Sequence, residues 1–207
     1  MRRAAELLSS GKIGRRLNAR IVSTTSGFGP EMPSIYDYFN KTSSGANLLT
    51  ITAGHTLDVV EAVLGPIIEF DARTEIIWPS VKLTDVGKES VREAPDHIDV
   101  KGKTWSGAAF TADIDGGLRA EDAHFSFEII GSEGWLSLAG DHPYGFQAGD
   151  LKLTSNVGFE PPEEARSTVA LWARQSTWQR CMLILFVICM RARTAHPALS
   201  THFTMPG

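Results

Sequence analysis

Apolar and polar positions divide the chain into a helical opening and a long series of strands. In "RRAAELLSSGKIG" (residues 2–14), Ala4, Leu7 and Leu8 follow helical spacing before Ser-Gly, which predicts the last turns of a helix. "RLNARIVST" (16–24) alternates, as a half-buried strand does. "GFGPEMPSIYDYFNKTSSG" (27–45) is rich in Gly, Pro and Ser and reads as a loop. "SSGANLLTITAGHTLDVVEAVLG", Ser43 to Gly65, reads as one long helix stopped by Gly65-Pro66. "IIEFDARTEIIW" (67–78) is a strand, and "LTDVGKESVREAPD" (83–96) is a charged connection. From His97 the alternation becomes continuous through "HIDVKGKTWSGAAFTADIDGG", "AHFSFEIIGSEGWLSLAG" and "DLKLTS". Turns are expected at Trp105-Ser106-Gly107, Gly116-Gly117 and Gly131-Ser132-Glu133-Gly134. Helices followed by a meander of strands imply an α+β fold with a large, mostly antiparallel open sheet.

The 207 residues, 43% hydrophobic and 21% charged, suit a globular chain with one large core or two small ones. The net charge of −4 is spread unevenly. Residues 1–165 carry 15 Lys and Arg against 24 Asp and Glu, a net of −9, whereas residues 166–207 carry five arginines and no acid. That tail also holds Cys181, Cys189 and two of the five tryptophans, and it keeps no helical or strand period for long. It reads as a basic surface tail, an amphipathic helix, or the product of a shifted frame or retained intron. Its apolar run "CMLILFVICM" (181–190) has ten residues, about half of what a membrane span needs. The two cysteines form no disulfide framework or zinc pattern, and "MRRAAELLSSGKIG" has no apolar core of a signal peptide. No basic stripe marks the first three quarters of the chain, so direct nucleic-acid binding is not expected.

Chemistry concentrates in the long helix. With 3.6 residues per turn, Leu48, Thr52, His55, Asp58 and Ala62 fall on one face, while Leu57, Val60 and Leu64 form a separate apolar side. Gly54, a residue that costs a helix about 1 kcal/mol relative to alanine, stands beside His55 and thins the turn there. His55 and Asp58 at i, i+3 read either as a plain hydrogen-bonded pair or as pocket residues, with Asp58 setting the imidazole tautomer. They lack a third clustered ligand, so no metal site is expected. Tyr36 in "YDYFN" (36–40) is either a pocket-mouth residue or part of a plain surface loop. His97, His124 and His142 read as structural or solvated, and Glu160, Glu163 and Glu164 as a solvated linker.

In this order, the helix end, strand, loop, Gly54-His55-Thr56-Leu57-Asp58 helix and "GSEGWLSL" hairpin resemble a known C-terminal domain. It belongs to the glucose-fructose oxidoreductase / inositol dehydrogenase / rhizopine-catabolism (Gfo/Idh/MocA) family. "GANLLTITAGHTLDVVEAVLG" is most similar to the family's fungal galactose/lactose-metabolism regulatory branch, a repressor-like group with the dehydrogenase fold. The resemblance spans about residues 2–160. It implies a dihydrodipicolinate-reductase-like sheet with helices on one face, used for substrate binding and oligomer formation. The NAD(P)-binding Rossmann domain of the family has no counterpart here: no G-x-G-x-x-G follows a strand, and the Glu-Lys-Pro segment with its catalytic lysine is missing. In family enzymes the histidine matching His55 positions the substrate hydroxyl or exchanges its proton during hydride transfer. An acidic residue usually stands four positions before it. Ile51 occupies that place here and favours the non-catalytic branch.

The resemblance therefore implies residues 1–14 as a remnant of the helix leaving a missing Rossmann domain, 15–165 as the substrate and oligomerisation domain, and 166–207 as an atypical tail. Three functions follow from it. The chain is a truncated regulator-like protein without dehydrogenase activity of its own, a fragment of an NAD(P)-dependent sugar or polyol oxidoreductase, or a stand-alone dimerisation domain. The expected site comprises His55 and Asp58 as catalytic candidates, with Tyr36, Thr52, Gly54 and His55 as substrate-binding candidates. No cofactor is expected on this chain alone, although the full-length family uses NAD(P). Expected partners are a second copy through the sheet face and, for a galactose-repressor-like protein, a transcription regulator. No membrane contact is expected, and the expected location is cytoplasmic or nuclear.

Overall fold

A computed structural model of the chain describes residues 1–158 and 201–204. The first helix, α1 (Arg2–Ser9), buries Ala4, Leu7 and Leu8 and leaves its arginines outward. Strand β1 (Arg16–Thr24) turns Ala19, Ile21 and Ser23 inward, as its alternation predicts. A short β2 (Glu31–Met32) follows, and then a 3₁₀ helix at Ser34–Asn40. A π-helical turn at Leu49–Ala53 runs directly into α2 (Gly54–Leu64), which ends at Gly65 with φ 91°.

Eight further strands and a terminal one complete the fold. They are β3 (Ile67–Glu75), β4 (Ser80–Leu83), β5 (Lys88–Val91), β6 (His97–Thr104), β7 (Ala109–Asp115), β8 (Phe125–Gly131), β9 (Trp135–Gly140), β10 (Lys152–Ser155) and β11 (Thr201–Thr204). Eight of the eleven form one sheet in the order β10-β9-β8-β1-β7-β6-β3-β11. Among the described residues of this sheet only the β1–β7 pair is parallel, because β1 inserts between strands formed almost 100 residues later. The expected α+β fold with a mostly antiparallel sheet is what the chain adopts. Leu57, Val60 and Leu64 of α2 pack with Ala4, Leu7 and Leu8 of α1 over Ile21, Phe70, Ile98, Phe110 and Phe127. The helices thus cover one face of the sheet.

The structure differs from the sequence expectation in three places. The segment 83–96 is not a plain connection: β4 and β5 form a hairpin, and β2 joins them in a second sheet, β2-β4-β5. Its strands are short, and only Met32, Val81 and Leu83 form its small core, so charges at the outward positions hid the alternation. The segment 27–45 contains β2 and the 3₁₀ helix rather than a loop throughout. The long helix begins after Asn47, not at Ser43. Gly45 (φ 69°) breaks the chain there, and Asn47 caps the new start. Thr50 N–H donates to Asn47 Oδ1 at 3.2 Å while Asn47 N–H donates to Thr50 Oγ1 at 3.0 Å, a reciprocal cap.

Candidate functional site

A π turn leads directly into α2. Ala53 N–H donates to Leu48 O at 3.0 Å, an i→i−5 bond that inserts one extra residue into the helical path. Positions before the turn are rotated relative to those after it. His55 and Asp58 remain half-buried on an outward face with exposed Ala62, whereas Leu48 and Thr52, expected on the same face, lie in the interior. Thr52 is only 2% exposed, so the structure does not support it as a substrate contact. Its carbonyl instead accepts the Thr56 hydroxyl at 2.8 Å, and Thr56 is also bonded to Ser23 of β1 at 2.9 Å. That inward anchor leaves the preceding residue, His55, on the opposite side. Gly54 has φ −56° and ψ −51°, ordinary helical values. Glycine is therefore not required there by backbone conformation.

Partial burial tunes this pair. Desolvation lowers the His55 pKa below its ordinary value, with the Asp58 charge acting in the opposite direction. Desolvation likewise raises the Asp58 pKa, again partly offset by His55. Both shifts favour the uncharged forms, a neutral imidazole and a carboxyl that keeps its proton to higher pH than usual.

Tyr36 belongs to another group. It lies in the 3₁₀ helix and stacks on Phe39, with ring centroids 5.7 Å apart and planes within 4°. Tyr38 and Phe28 also contact Phe39, at 4.4 and 5.2 Å. The structure thus joins His55, Asp58 and Gly54 on one helix face and places Tyr36 in an aromatic cluster.

Sequence reasoning missed a buried polar network beside that cluster. Arg92 is 4% exposed and Asp96 0%. Arg92 Nη1 donates to Asp96 Oδ2 at 2.8 Å and also to Phe28 O; Nη2 donates to Gly29 O at 2.8 Å; Nε donates to Asn40 Oδ1 at 3.1 Å. Asp96 also accepts the N–H groups of Ile77 and Trp78 at 2.7 and 2.9 Å. Desolvation lowers the Arg92 pKa, while the hydrogen bond and charge of Asp96 act to raise it. The network holds the β1–β2 loop, including Phe28 at the unusual φ of 63°, against the small sheet. The loop also meets Gly117, where a Cβ would come within 2.7 Å of Gly29 Cα and where φ is 77°. The i, i+4 spacing of Arg92 and Asp96 was visible in the sequence. Their burial was not, because the same spacing is common on solvated helices.

Residues 1–140 match the family described as "Gal80p, C-terminal domain". The chain belongs to that family. Its Gal80p-like domain has solved neighbours that set its fold with the NAD-binding oxidoreductases of the Gfo/Idh/MocA type. A super-repressor mutant of Gal80p from Saccharomyces cerevisiae aligns with TM-score 0.66 and 24% identity, over 75% of this chain and 43% of that one. Transcriptional regulator Gal80p from Kluyveromyces lactis aligns with TM-score 0.61 and 21% identity, over 92% and 48%. A levoglucosan dehydrogenase in complex with NADH aligns with TM-score 0.66 and 15% identity, over 98% and 62%. Among curated proteins, the dehydrogenase aclE of Aspergillus oryzae is 30% identical over 102 residues, which are 47% of this chain and 28% of that protein. The Gal80p-like chain therefore spans less than two thirds of each of these relatives. Among its described residues no group of three or more His, Cys, Asp or Glu could hold a metal ion, and no helix is long and apolar enough to cross a membrane.

Proposed function

We propose that this chain is the substrate-pocket and oligomerisation half of a two-domain, galactose-regulator-like protein and is not a dehydrogenase by itself. The observation that carries this reading is the outward, half-buried His55–Asp58 pair on α2, next to Gly54, in a domain of the Gal80p family. In this reading residues 15–165 are the working domain, α1 belongs to the link with a Rossmann half, and residues 166–207 are an atypical tail of which Thr201–Thr204 pair with β3. In this reading the pair faces the meeting place of a nicotinamide-binding half and a sugar-like ligand, and NAD(P) belongs to that other half. Ile51, half-buried just before His55, lacks the acid that would take up a proton, which supports recognition rather than turnover. A second copy bound through the open sheet face and a transcription regulator are the partners of this reading, in the cytoplasm or nucleus. Neither direct nucleic-acid contact nor membrane contact enters it.

A second reading has support of its own. The similarity to the dehydrogenase aclE and to the levoglucosan dehydrogenase favours a parent that is an NAD(P)-dependent oxidoreductase of sugars or polyols, with His55 and Asp58 as its proton-handling pair.

Fusing a family Rossmann domain ahead of Met1 separates the two. Calorimetric titration with NAD and NADP should show binding to the fusion and none to the chain alone. Sugar binding to the loaded fusion should be lost in Gly54→Leu and His55→Ala variants that still fold. Reduction of NAD(P) by the fusion with any aldose or polyol would replace the regulator reading with the enzyme reading. Sugar binding indifferent to both substitutions would sink the pocket assignment.

A further inference from the structure

His97 opens β6 between two carboxylates that belong to different segments of the chain. Its Nδ1 lies 3.2 Å from Oδ1 of Asp96, and its Nε2 lies 3.7 Å from Oδ1 of Asp115, its register partner on β7. Only the imidazolium presents an N–H to both; a neutral ring turns a lone pair towards one of them. The other charges around the ring are mainly acidic. Glu75 lies opposite it on β3, Asp99 follows on the same strand, and Asp113 stands beside Asp99 on β7. Among the described residues the cations nearby, Arg73 and Arg92, are already paired with Glu75 and Asp96. Desolvation raises the Asp115 pKa; the charge of His97 acts against that rise, and the charges of Asp113, Asp99 and Asp96 add to it.

The two acids support one loop. The Asp96 side chain accepts from the Arg92 guanidinium, which also holds the carbonyls of Phe28 and Gly29. The Asp115 carbonyl accepts Thr25 N–H at 3.0 Å, and in the turn after it Gly117 N–H donates to Gly27 O at 2.6 Å. Residues 25–29 therefore rest on two supports, and His97 spans them.

We propose that His97 is a proton-controlled staple: charged, it ties Asp96 to Asp115 and tightens residues 25–29, and neutral, it releases one of its two partners. The tied form favours the imidazolium, so the tie is present on the acid side of the imidazole transition and is lost as pH rises through it. At still lower pH, protonation of Asp115 removes its charge, and the tightening passes through a maximum. The staple belongs to the fold and holds whether or not the His55–Asp58 pair binds a ligand. His142 is the competing titratable group, because the carbonyl of the adjacent Pro143 accepts Ser26 N–H at 2.8 Å.

The test is amide hydrogen exchange on the full chain at about pH 5.5 and about pH 7.5, corrected for the intrinsic pH dependence of exchange. Protection of Thr25 and Gly117 is read as a ratio to Phe127 in mid-sheet, which cancels global opening. The ratio should be about threefold higher at the lower pH, the scale of a part-exposed ion pair. Its midpoint should coincide with that of the His97 ring followed by NMR. His97→Gln and Asp115→Asn should each abolish the difference, and His142→Gln should keep it. A wild-type ratio indifferent to pH, or one whose midpoint departs from the His97 ring, overturns the staple without any variant. So does a pH response that survives His97→Gln or Asp115→Asn, or one that vanishes in His142→Gln.

Discussion

Thr56 Oγ1 and Ser23 Oγ are hydrogen-bonded at 2.9 Å, fastening α2 to the middle of the sheet. Both residues are buried, at 0% and 1% exposure, and Thr56 is the inward neighbour of His55. The bond thereby sets the rotation of α2 and keeps the imidazole on the outward side.

Thr56→Val keeps the side-chain shape and removes the hydroxyl, leaving Ser23 with an unmatched buried group. The expected loss is about 1–3 kcal/mol of unfolding free energy. Urea denaturation of the variant checks it; an unchanged midpoint would mean that the contact holds nothing.

The His55–Asp58 pair should leave an opposed signature in stability against pH. For His55, whose folded pKa is lowered, the unfolded chain binds the proton first. Its contribution therefore improves as pH rises through the window between that lowered value and 6.5. For Asp58, whose folded pKa is raised, the folded chain keeps the proton longer. Stability is then lost as pH rises from 3.8 through the raised value. Asp58→Asn should accordingly stabilise the domain at pH 7 and not below pH 3.8, whereas His55→Gln should help at acid pH and not at pH 7.5. Urea titrations at a series of pH values distinguish the two slopes.

The buried Arg92–Asp96 pair predicts an asymmetry. Asp96→Ala leaves a buried guanidinium without its counter-charge and frees the N–H groups of Ile77 and Trp78. Breaking such a pair from one side costs about 3–5 kcal/mol. Arg92→Met should cost less, because Asp96 keeps those two backbone donors and the methionine stem fills the space. Comparative thermal melts of the two variants give the order.

The edge of β3 is occupied by β11, with Thr201 opposite Ala72 and Thr204 opposite Glu69. Deleting residues 201–207 should speed amide hydrogen exchange at the β3 positions that face this edge, leaving β6 and β7 unchanged. The melting temperature should move by only a few degrees, since the main core among the described residues is built ahead of residue 158. A collapse of the whole fold on deletion would show that the terminal strand is integral to it. The apolar run 181–190 and both cysteines lie outside the described residues.

Most of the large sheet was legible because β1, β3, β6, β7, β8 and β9 each carry one wet and one dry face. The alternation in "RLNARIVST" and "AFTADID" is the direct record of that environment. The half-buried placement of His55 and Asp58 was legible, since a histidine and an aspartate one turn apart interrupt an otherwise apolar helix. Three things were decided only by tertiary structure. Thr52 went to the interior because it shares the inward stripe of Thr56, one turn later, which is fastened to Ser23 of a distant strand. The β4–β5 hairpin became a strand pair because Met32, Val81 and Leu83 meet in space from separate segments. The Arg92–Asp96 pair became a buried clamp because the carbonyls of Phe28 and Gly29 and the side chain of Asn40 converge on it, from positions up to 64 residues away. Local sequence records which face of an element is dry; which distant groups share that dryness is set when the chain closes on itself.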